Sequence, residues 1–305
     1  MKKVRYLHII RLSLFILGAL LILYPQPIEA QNKKALLIGI SNYSKYPESK
    51  WSDIHGKEDV SLLSPVLKRQ GFIVDSLTDS EKPTKANIVN AIKRLIQKVK
   101  KGDIVYLHFS THGQPVEDGL LNKAKDEEDE WDESIIPIDA GVKYDMYMDY
   151  GQRHLIDDEL ALYVENIRKK IGEKGYLYVI VDACHAGTMS RADEDIRGVN
   201  EGFSSSGKEY SPPLFEKRHH MLTDNPLLSP ALYVEACKAR ECNKEIKLLD
   251  GRKYGSLSIN IYYALLTNKL SLNGKQFEND IRNSIRIKGR WHSNQTLVVE
   301  TSKLK

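Results

Sequence analysis

Cysteine and aromatic residues are scarce in this 305-residue sequence, which has three cysteines and 8% aromatic side chains. An odd number of cysteines cannot all pair within the chain, so at least one thiol is free or intermolecular, and whether Cys237 pairs with Cys242 is left open. The formal net charge of +4 is too small to indicate nucleic acid or a membrane surface as a partner. The composition as a whole, with 41% hydrophobic and 28% charged residues, is ordinary for a soluble globular protein.

Long apolar runs are also missing, except near the beginning of the chain. Basic residues at positions 2, 3, 5 and 11 precede an apolar or small run over 12–23, and Ala30 follows as a small residue. This three-part layout is typical of a secretory signal peptide, and the apolar run is short for a membrane span of about 20 residues. We therefore expect a signal peptide over 1–30, export to the periplasm or the exterior, and a mature chain that does not span a membrane. An uncleaved membrane anchor is the alternative.

Strand-like and helix-like segments alternate along the rest of the chain. Short apolar runs predict six strands, at 34–40, 72–77, 103–109, 176–182, 231–236 and 296–300. Apolar residues at helical spacing predict helices at 58–69, 84–101, 157–170, 257–265 and 275–287. This order predicts an α/β fold with a mostly parallel six-stranded sheet and helices on both faces. The acidic segment 126–133 and the polar segment 188–229 interrupt the pattern, and we expect the second to be a mobile loop.

Two of the predicted strands end in residues that carry chemistry. The third runs into Ser110-Thr111-His112-Gly113, and the fourth runs into Asp182-Ala183-Cys184-His185-Ala186-Gly187. Parallel neighbours bring His112 and Cys184 to the same edge of a sheet, where an imidazole can activate a thiol. Backbone N–H groups at Gly113, Cys184 and Gly187 are open donors for an oxyanion. A buried core thiol, a structural histidine, and His185 as a rival base are the competing interpretations.

The motifs Ser-Thr-His-Gly-Gln and Asp-Ala-Cys-His-Ala-Gly resemble those of clan CD cysteine peptidases, and metacaspases most closely, over roughly 34–265. The resemblance implies a caspase-like fold over 31–305. It divides into a large-subunit-like part over about 31–187, a flexible loop over about 188–229 and a small-subunit-like part over about 230–305. It also implies a cysteine endopeptidase with a Cys184–His112 dyad that acts on protein or peptide substrates and needs no cofactor for its chemistry.

The same resemblance implies the substrate preference. Asp182 and Asp59 match the acidic pocket residues of metacaspases, which bind Arg or Lys before the scissile bond. Carboxylates suit a guanidinium or an ammonium group. For Asp59, the alternative is an ordinary acidic residue in the first turn of a helix.

The resemblance to metacaspases also implies that calcium modulates the activity. Asp132, Asp157 and Asp158 match ligand positions of calcium-dependent metacaspases, and hard oxygen ligands suit calcium. At the fourth position Arg191 replaces an aspartate, and Asp193 is the nearest substitute. A solvated acidic loop is the alternative.

The position and the basic residues of the segment 188–229 predict that the enzyme cleaves this segment itself. It follows the nucleophile directly, and its basic residues each match an acidic specificity pocket: Arg191, Arg197, Lys208, Lys217 and Arg218. An uncut loop in the cleft would keep the enzyme latent, whereas a passive surface insertion is the alternative. Two other functions stay open, a catalytically silent binding or scaffold module and a transpeptidase of the same fold.

Overall fold

A six-stranded sheet forms the centre of the computed structural model, which describes residues 31–46, 48–121, 127, 129–184, 195–199, 201–212 and 221–302. Its strands are β1 (Lys33–Gly39), β2 (Phe72–Leu77), β3 (Ile104–Ser110), β7 (Tyr176–Asp182), β8 (Ala231–Glu235) and β11 (Val298–Thr301). They lie in the order β11-β8-β7-β3-β1-β2, and only β11 is antiparallel to its neighbour. The predicted mostly parallel sheet is therefore confirmed.

Helices cover both faces of this sheet, as predicted. They are α1 (Gly56–Arg69), α2 (Lys85–Lys98), α3 (Asp157–Ile171), α4 (Ser256–Thr267) and α5 (Gly274–Lys288). Alternate residues of a strand point to opposite faces. Leu36 of β1 accordingly packs in the core formed with α2 and α3, whereas Leu37 packs in the core formed with α1, α4 and α5.

Two smaller sheets were not predicted from the sequence. One contains β4 (His112–Glu117), β5 (Trp131–Ile136) and β6 (Leu155–Ile156), in that order and antiparallel. The other is a ribbon of β9 (Glu245–Lys247) and β10 (Lys253–Gly255). Part of the acidic segment 126–133 therefore belongs to a strand, because Trp131 is buried and begins β5.

The described parts of the segment 188–229 contain buried side chains, which its polar composition did not indicate. Arg197 and Phe203 are fully buried, and Leu222 and Leu228 are buried at the far end of the segment. The composition describes the average of a segment, so it does not reveal which individual side chains are buried. The structure also describes no helix that is long and apolar enough to cross a membrane.

The register of the central sheet positions the site. Ser110, the last residue of β3, lies opposite Asp182, the last residue of β7. The chain leaves these neighbouring strands at the same edge, so His112 and Cys184 follow within two residues on each side.

Candidate active site

His112 is held by aromatic side chains and by its own hydrogen bonds. Its ring stacks on Trp51, with 4.8 Å between ring centroids, and lies 4.8 Å from the ring of Tyr43. Nε2 lies 2.9 Å from the carbonyl oxygen of Ser52. A carbonyl only accepts, so Nε2 carries the proton and Nδ1 has a free lone pair. Burial lowers the pKa of His112 to about 4, which keeps this ring neutral.

Cys184 lies two residues past the end of β7 and is fully buried. Its thiol donates to the carbonyl oxygen of Glu241 at 3.0 Å. The thiol of Cys237 lies beside it, and the hydrogen bond between the two, together with burial, raises the pKa of Cys237. The raised pKa keeps this thiol protonated, so Cys237 is a poor candidate for the nucleophile. None of the three cysteines forms a disulfide in the described part of the chain, Cys237 and Cys242 included.

Two backbone N–H groups converge on one oxygen between these residues. The N–H groups of Gly113 and Cys184 donate to the carbonyl oxygen of Arg197, at 3.1 Å and 2.9 Å. The His112 ring also contacts the backbone of Arg197. These are two of the three donors predicted for an oxyanion, and they converge on a peptide carbonyl of the chain's own segment.

The segment around Arg197 passes through the cleft as an extended strand. Arg197 donates to the carbonyl oxygen of Asn243 at 3.0 Å, and the Glu245 N–H donates to the carbonyl oxygen of Asp195 at 2.8 Å. Ile196 forms an antiparallel bridge with Lys244. Peptides that add a strand to an open edge are recognised by this backbone pattern.

On the other side of Arg197 the segment runs along β4. Gly198 forms a parallel bridge with Gly113, and Phe203 forms one with Val116. A Cβ atom on Gly198 would lie 2.1 Å from the carbonyl oxygen of Cys184, so only glycine fits there. The Arg197–Gly198 peptide bond therefore lies at the centre of the cleft, next to Cys184 and His112.

The side chain of Arg197 fills a buried acidic pocket that contains both predicted pocket residues. Asp59 accepts from Nη2 of Arg197 at 2.8 Å and from Ser110 Oγ at 2.7 Å. The Asp182 carboxylate is farther away, with 3.9 Å between Oδ1 and Nη1. Instead it accepts from Asn243 at 2.7 Å and from the backbone and hydroxyl of Ser258 at 2.8 Å and 2.7 Å. Asp59 is thus the direct partner, and Asp182 shapes the pocket behind it.

Sequence reasoning missed a third carboxylate in this pocket, Glu245. Its Oε1 accepts from Nε and Nη2 of Arg197, at 3.2 Å and 2.8 Å. Burial raises the pKa of Glu245, but Arg197 and His55 outweigh that effect and lower it to about 2. Burial raises the pKa of Asp59 to about 7 although Arg197 opposes it. No local pattern marks Glu245, because it reaches the pocket only through the ribbon of β9 and β10.

The acidic residues proposed for calcium form a repelling cluster. Asp132 and Asp157 are buried, with Asp157 at the start of α3. Burial and the neighbouring Asp132 raise the pKa of Asp157, while burial and Asp157 raise that of Glu133. Even so, the described residues contain no group of three or more acidic, cysteine or histidine side chains placed to hold a metal ion. Arg191 and Asp193 lie outside the described residues, as do His185, Gly187, Lys217 and Arg218.

The strand order of the central sheet, with a histidine and a cysteine just after two adjacent strands, is consistent with a caspase-like fold. A family model described as "Metacaspase, peptidase C14 domain" matches residues 33–192. The chain therefore belongs to the metacaspase family of peptidase C14 domains.

Curated relatives and one solved structure are similar to the chain. Metacaspase-1B of Aspergillus fumigatus is 35% identical over 170 residues, covering 51% of this chain and 36% of the relative. Metacaspase III c of Phaeodactylum tricornutum is 30% identical over 170 residues, covering 53% and 45%. The chain thus spans less than half the length of these relatives. Protein GSU0716 from Geobacter sulfurreducens has the same fold, with a TM-score of 0.57 and 19% identity over 90% of this chain and 94% of that one.

Proposed function

We propose that this chain is a cysteine endopeptidase that cleaves after basic residues, and that its first substrate is its own Arg197–Gly198 bond. The observation that carries the proposal is the position of Arg197. Its side chain lies in the acidic pocket, and its carbonyl oxygen lies between the N–H groups of Gly113 and Cys184. A substrate bound for cleavage needs both contacts at once.

The chemistry needs only groups that the chain supplies. Nδ1 of His112 takes the thiol proton of Cys184, and the thiolate attacks the carbonyl carbon of Arg197. The resulting oxyanion accepts from Gly113 and Cys184. His112 then gives its proton to the nitrogen of Gly198 as the peptide bond breaks. Water hydrolyses the thioester that remains on Arg197, with His112 again as the base.

Latency follows from the same contacts. While the segment pairs with 243–245 and Arg197 fills the pocket, an external peptide finds no free position for its own basic residue. Cleavage frees both ends of the segment to leave the cleft. The uncut chain is therefore proposed as a zymogen, and its product as the active peptidase for protein and peptide substrates.

Mass spectrometry of the purified chain tests self-cleavage. The wild type should yield one fragment ending at Arg197 and one beginning at Gly198, whereas Cys184→Ala should stay intact. Arg197→Gln should also stay intact, while Lys208→Gln should be cut, because Lys208 pairs with Glu130 outside the pocket. Intact wild-type protein with full activity on peptides would show that the segment is no zymogen switch.

A peptide panel tests the preference for basic residues. Peptides with Arg or Lys before the scissile bond should be cleaved, and matched peptides with Asp or Leu should not, since three carboxylates line the pocket. A preference for Asp or Leu would overturn the proposed specificity. An added amine nucleophile in the same assay distinguishes hydrolysis from transpeptidation, because only a transpeptidase yields mainly the ligated product.

Calcium is proposed only as a modulator that relieves the repulsion near Asp132, Asp157 and Asp158. The support is the crowding of buried carboxylates, and no step of the chemistry passes through the ion. Activity and melting temperature should rise between EDTA and millimolar calcium. Unchanged values of both quantities would remove this proposal.

Export is proposed from the signal-like layout of residues 1–30, which lie outside the described residues. Mass spectrometry of protein secreted by expressing cells should find a chain beginning near Gln31. A chain that keeps these residues and stays with the membrane fraction would indicate an anchor instead.

A further inference from the structure

All three guanidinium nitrogens of Arg197 make polar contacts in the pocket. Nη1 donates to Ser110 Oγ at 2.6 Å and to the carbonyl oxygen of Asp182 at 3.4 Å. Nη2 contacts Asp59 and Glu245, and Nε donates to Glu245. All three nitrogens therefore have partners, of which Nε and Nη2 share Glu245, and every partner is buried.

Glu245 is the residue that contacts the side of the guanidinium group. Its Oε1 accepts from both Nε and Nη2, two donors that the planar guanidinium group directs to the same side. A lysine ammonium is a single point charge at the end of a flexible stem and has no second nitrogen. One ammonium cannot occupy the positions of Nε, Nη1 and Nη2 together, so a lysine leaves part of this buried acidic pocket without a partner.

His55 holds Glu245 in the orientation that arginine needs. Its backbone N–H donates to Oε1 of Glu245 at 2.8 Å, and its ring Nδ1 lies 2.5 Å from Oε2. The bond to Glu245 raises the pKa of His55, so the ring is held as a donor. Both oxygens of the carboxylate are thereby fixed by a residue at the start of α1, the helix that also carries Asp59.

We infer that the pocket selects arginine over lysine, that Glu245 makes the distinction, and that His55 positions Glu245. This inference rests on the proposed function and narrows its substrate class from basic residues to arginine. The sequence motifs mark neither Glu245 nor His55, and the inference is carried by the contacts of Glu245 with Arg197 and His55.

The test compares two fluorogenic peptides, Asp-Ile-Arg and Asp-Ile-Lys, on the cut full-length chain. Wild type should show a kcat/KM at least about 100-fold higher for the arginine peptide, as expected for charge-assisted hydrogen bonds that only arginine makes. Glu245→Gln should lower the arginine value by roughly 10- to 100-fold and change the lysine value by less than about threefold. The ratio is internal to each variant, so partial loss of folded protein cancels.

Matched variants separate selection from general damage. Glu58→Gln changes a neighbouring acid that accepts from Ser41 rather than from Arg197, so its ratio should equal that of wild type. His55→Ala should raise KM for the arginine peptide with little change in kcat. His55→Gln, whose amide can still donate to Glu245, should restore most of that loss.

The outcomes distinguish this inference from the proposed function. A wild type that cleaves both peptides within threefold of each other, or a Glu245→Gln variant that loses both activities equally, overturns arginine selection and leaves the peptidase standing. A wild type that cleaves neither peptide, or a Cys184→Ala variant that cleaves both, overturns the proposed function and this inference with it.

Discussion

At the scale of single residues, the two reactive groups and the third pocket carboxylate reach the site in different ways. His112 and Cys184 each follow an apolar strand, and parallel strands end at one edge, so their place at the same edge of the sheet is a consequence of topology. Glu245 could not be found this way. Its place in the pocket depends on residues 195–197 pairing with 243–245, and that pairing joins two irregular segments without periodic apolar residues.

Removing either reactive group should abolish activity. Cys184→Ala and His112→Ala should each lower peptide hydrolysis by at least about 10³-fold, because nucleophile and base act as a unit. Cys237→Ala should retain activity, since the hydrogen bond with Cys184 and burial raise the pKa of Cys237 and hold its thiol protonated. Steady-state rates on an arginine peptide check this prediction. Activity in the Cys184→Ala protein, or its loss in Cys237→Ala alone, would contradict the assigned roles.

The pH dependence of self-cleavage should differ from that of peptide hydrolysis. In the uncut chain burial lowers the pKa of His112 from 6.5 to about 4, so the ring stays an unprotonated base down to that pH. Once the cut segment leaves and water reaches the ring, its pKa returns toward 6.5. Acid therefore disables the cut enzyme first, and the uncut chain only near pH 4.

Rates measured between about pH 3 and about pH 8 check this order. Self-cleavage is followed by intact mass on freshly purified uncut chain, and hydrolysis is followed with an arginine peptide on the cut enzyme. The acid limb of self-cleavage should lie about 2.5 pH units below that of hydrolysis, which is the difference between a His112 pKa of 6.5 and one of about 4. Coincident limbs, or limbs in the reverse order, would contradict the prediction.

At the scale of elements, the regular segments were predicted well and the short ones were missed. All six strands of the central sheet and the five helices lie where apolar spacing put them, within a few residues at the ends. The hairpin of β4 and β5 and the ribbon of β9 and β10 were missed. Strands of three to six residues that carry polar side chains leave no clear alternation, so their pairing is decided by contacts distant in sequence.

The segment around Arg197 should no longer fit in the cleft when Gly198 gains a side chain. A Cβ there would meet the carbonyl oxygen of Cys184 at 2.1 Å, so Gly198→Val should displace the Arg197 carbonyl from its two donors. Displacements of about 1 Å near reacting atoms cost on the order of 100-fold in rate, and self-cleavage should slow by at least that factor. Time courses of intact mass measure the rate.

Val199→Ala is the control for this change, because it removes side-chain volume one residue further along without adding a clash. It should be cut at a rate close to that of wild type. Equal rates for Gly198→Val and wild type would mean that the segment is cut in some other arrangement.

At the scale of the whole molecule, cleavage should not separate the two fragments. The bond after Arg197 lies between β7 and β8 in sequence, but these strands pair side by side in the sheet. Apolar residues from both sides of the cut share each core, such as Val179 with Tyr233 and Leu63 with Leu257. Burial of this area stabilises the association without a covalent link.

Size-exclusion chromatography of the cut protein checks this expectation. The protein should elute as a single species in native buffer and give two bands only after denaturation. Uncut Cys184→Ala is the reference for the elution volume. Fragments that separate in native buffer would contradict the shared cores.

The strand pairing between residues 195–197 and 243–245 has a kinetic consequence. A tethered segment competes with free peptides at an effective concentration that is on the order of millimolar for a short connection. Peptides at micromolar concentration therefore lose this competition in every uncut molecule. A fresh sample should show a lag before it hydrolyses peptide, and the length of that lag should not change on dilution if each molecule cuts itself. A lag that shortens as the protein is concentrated would instead mean that one molecule cuts another, with the first few active copies converting the rest.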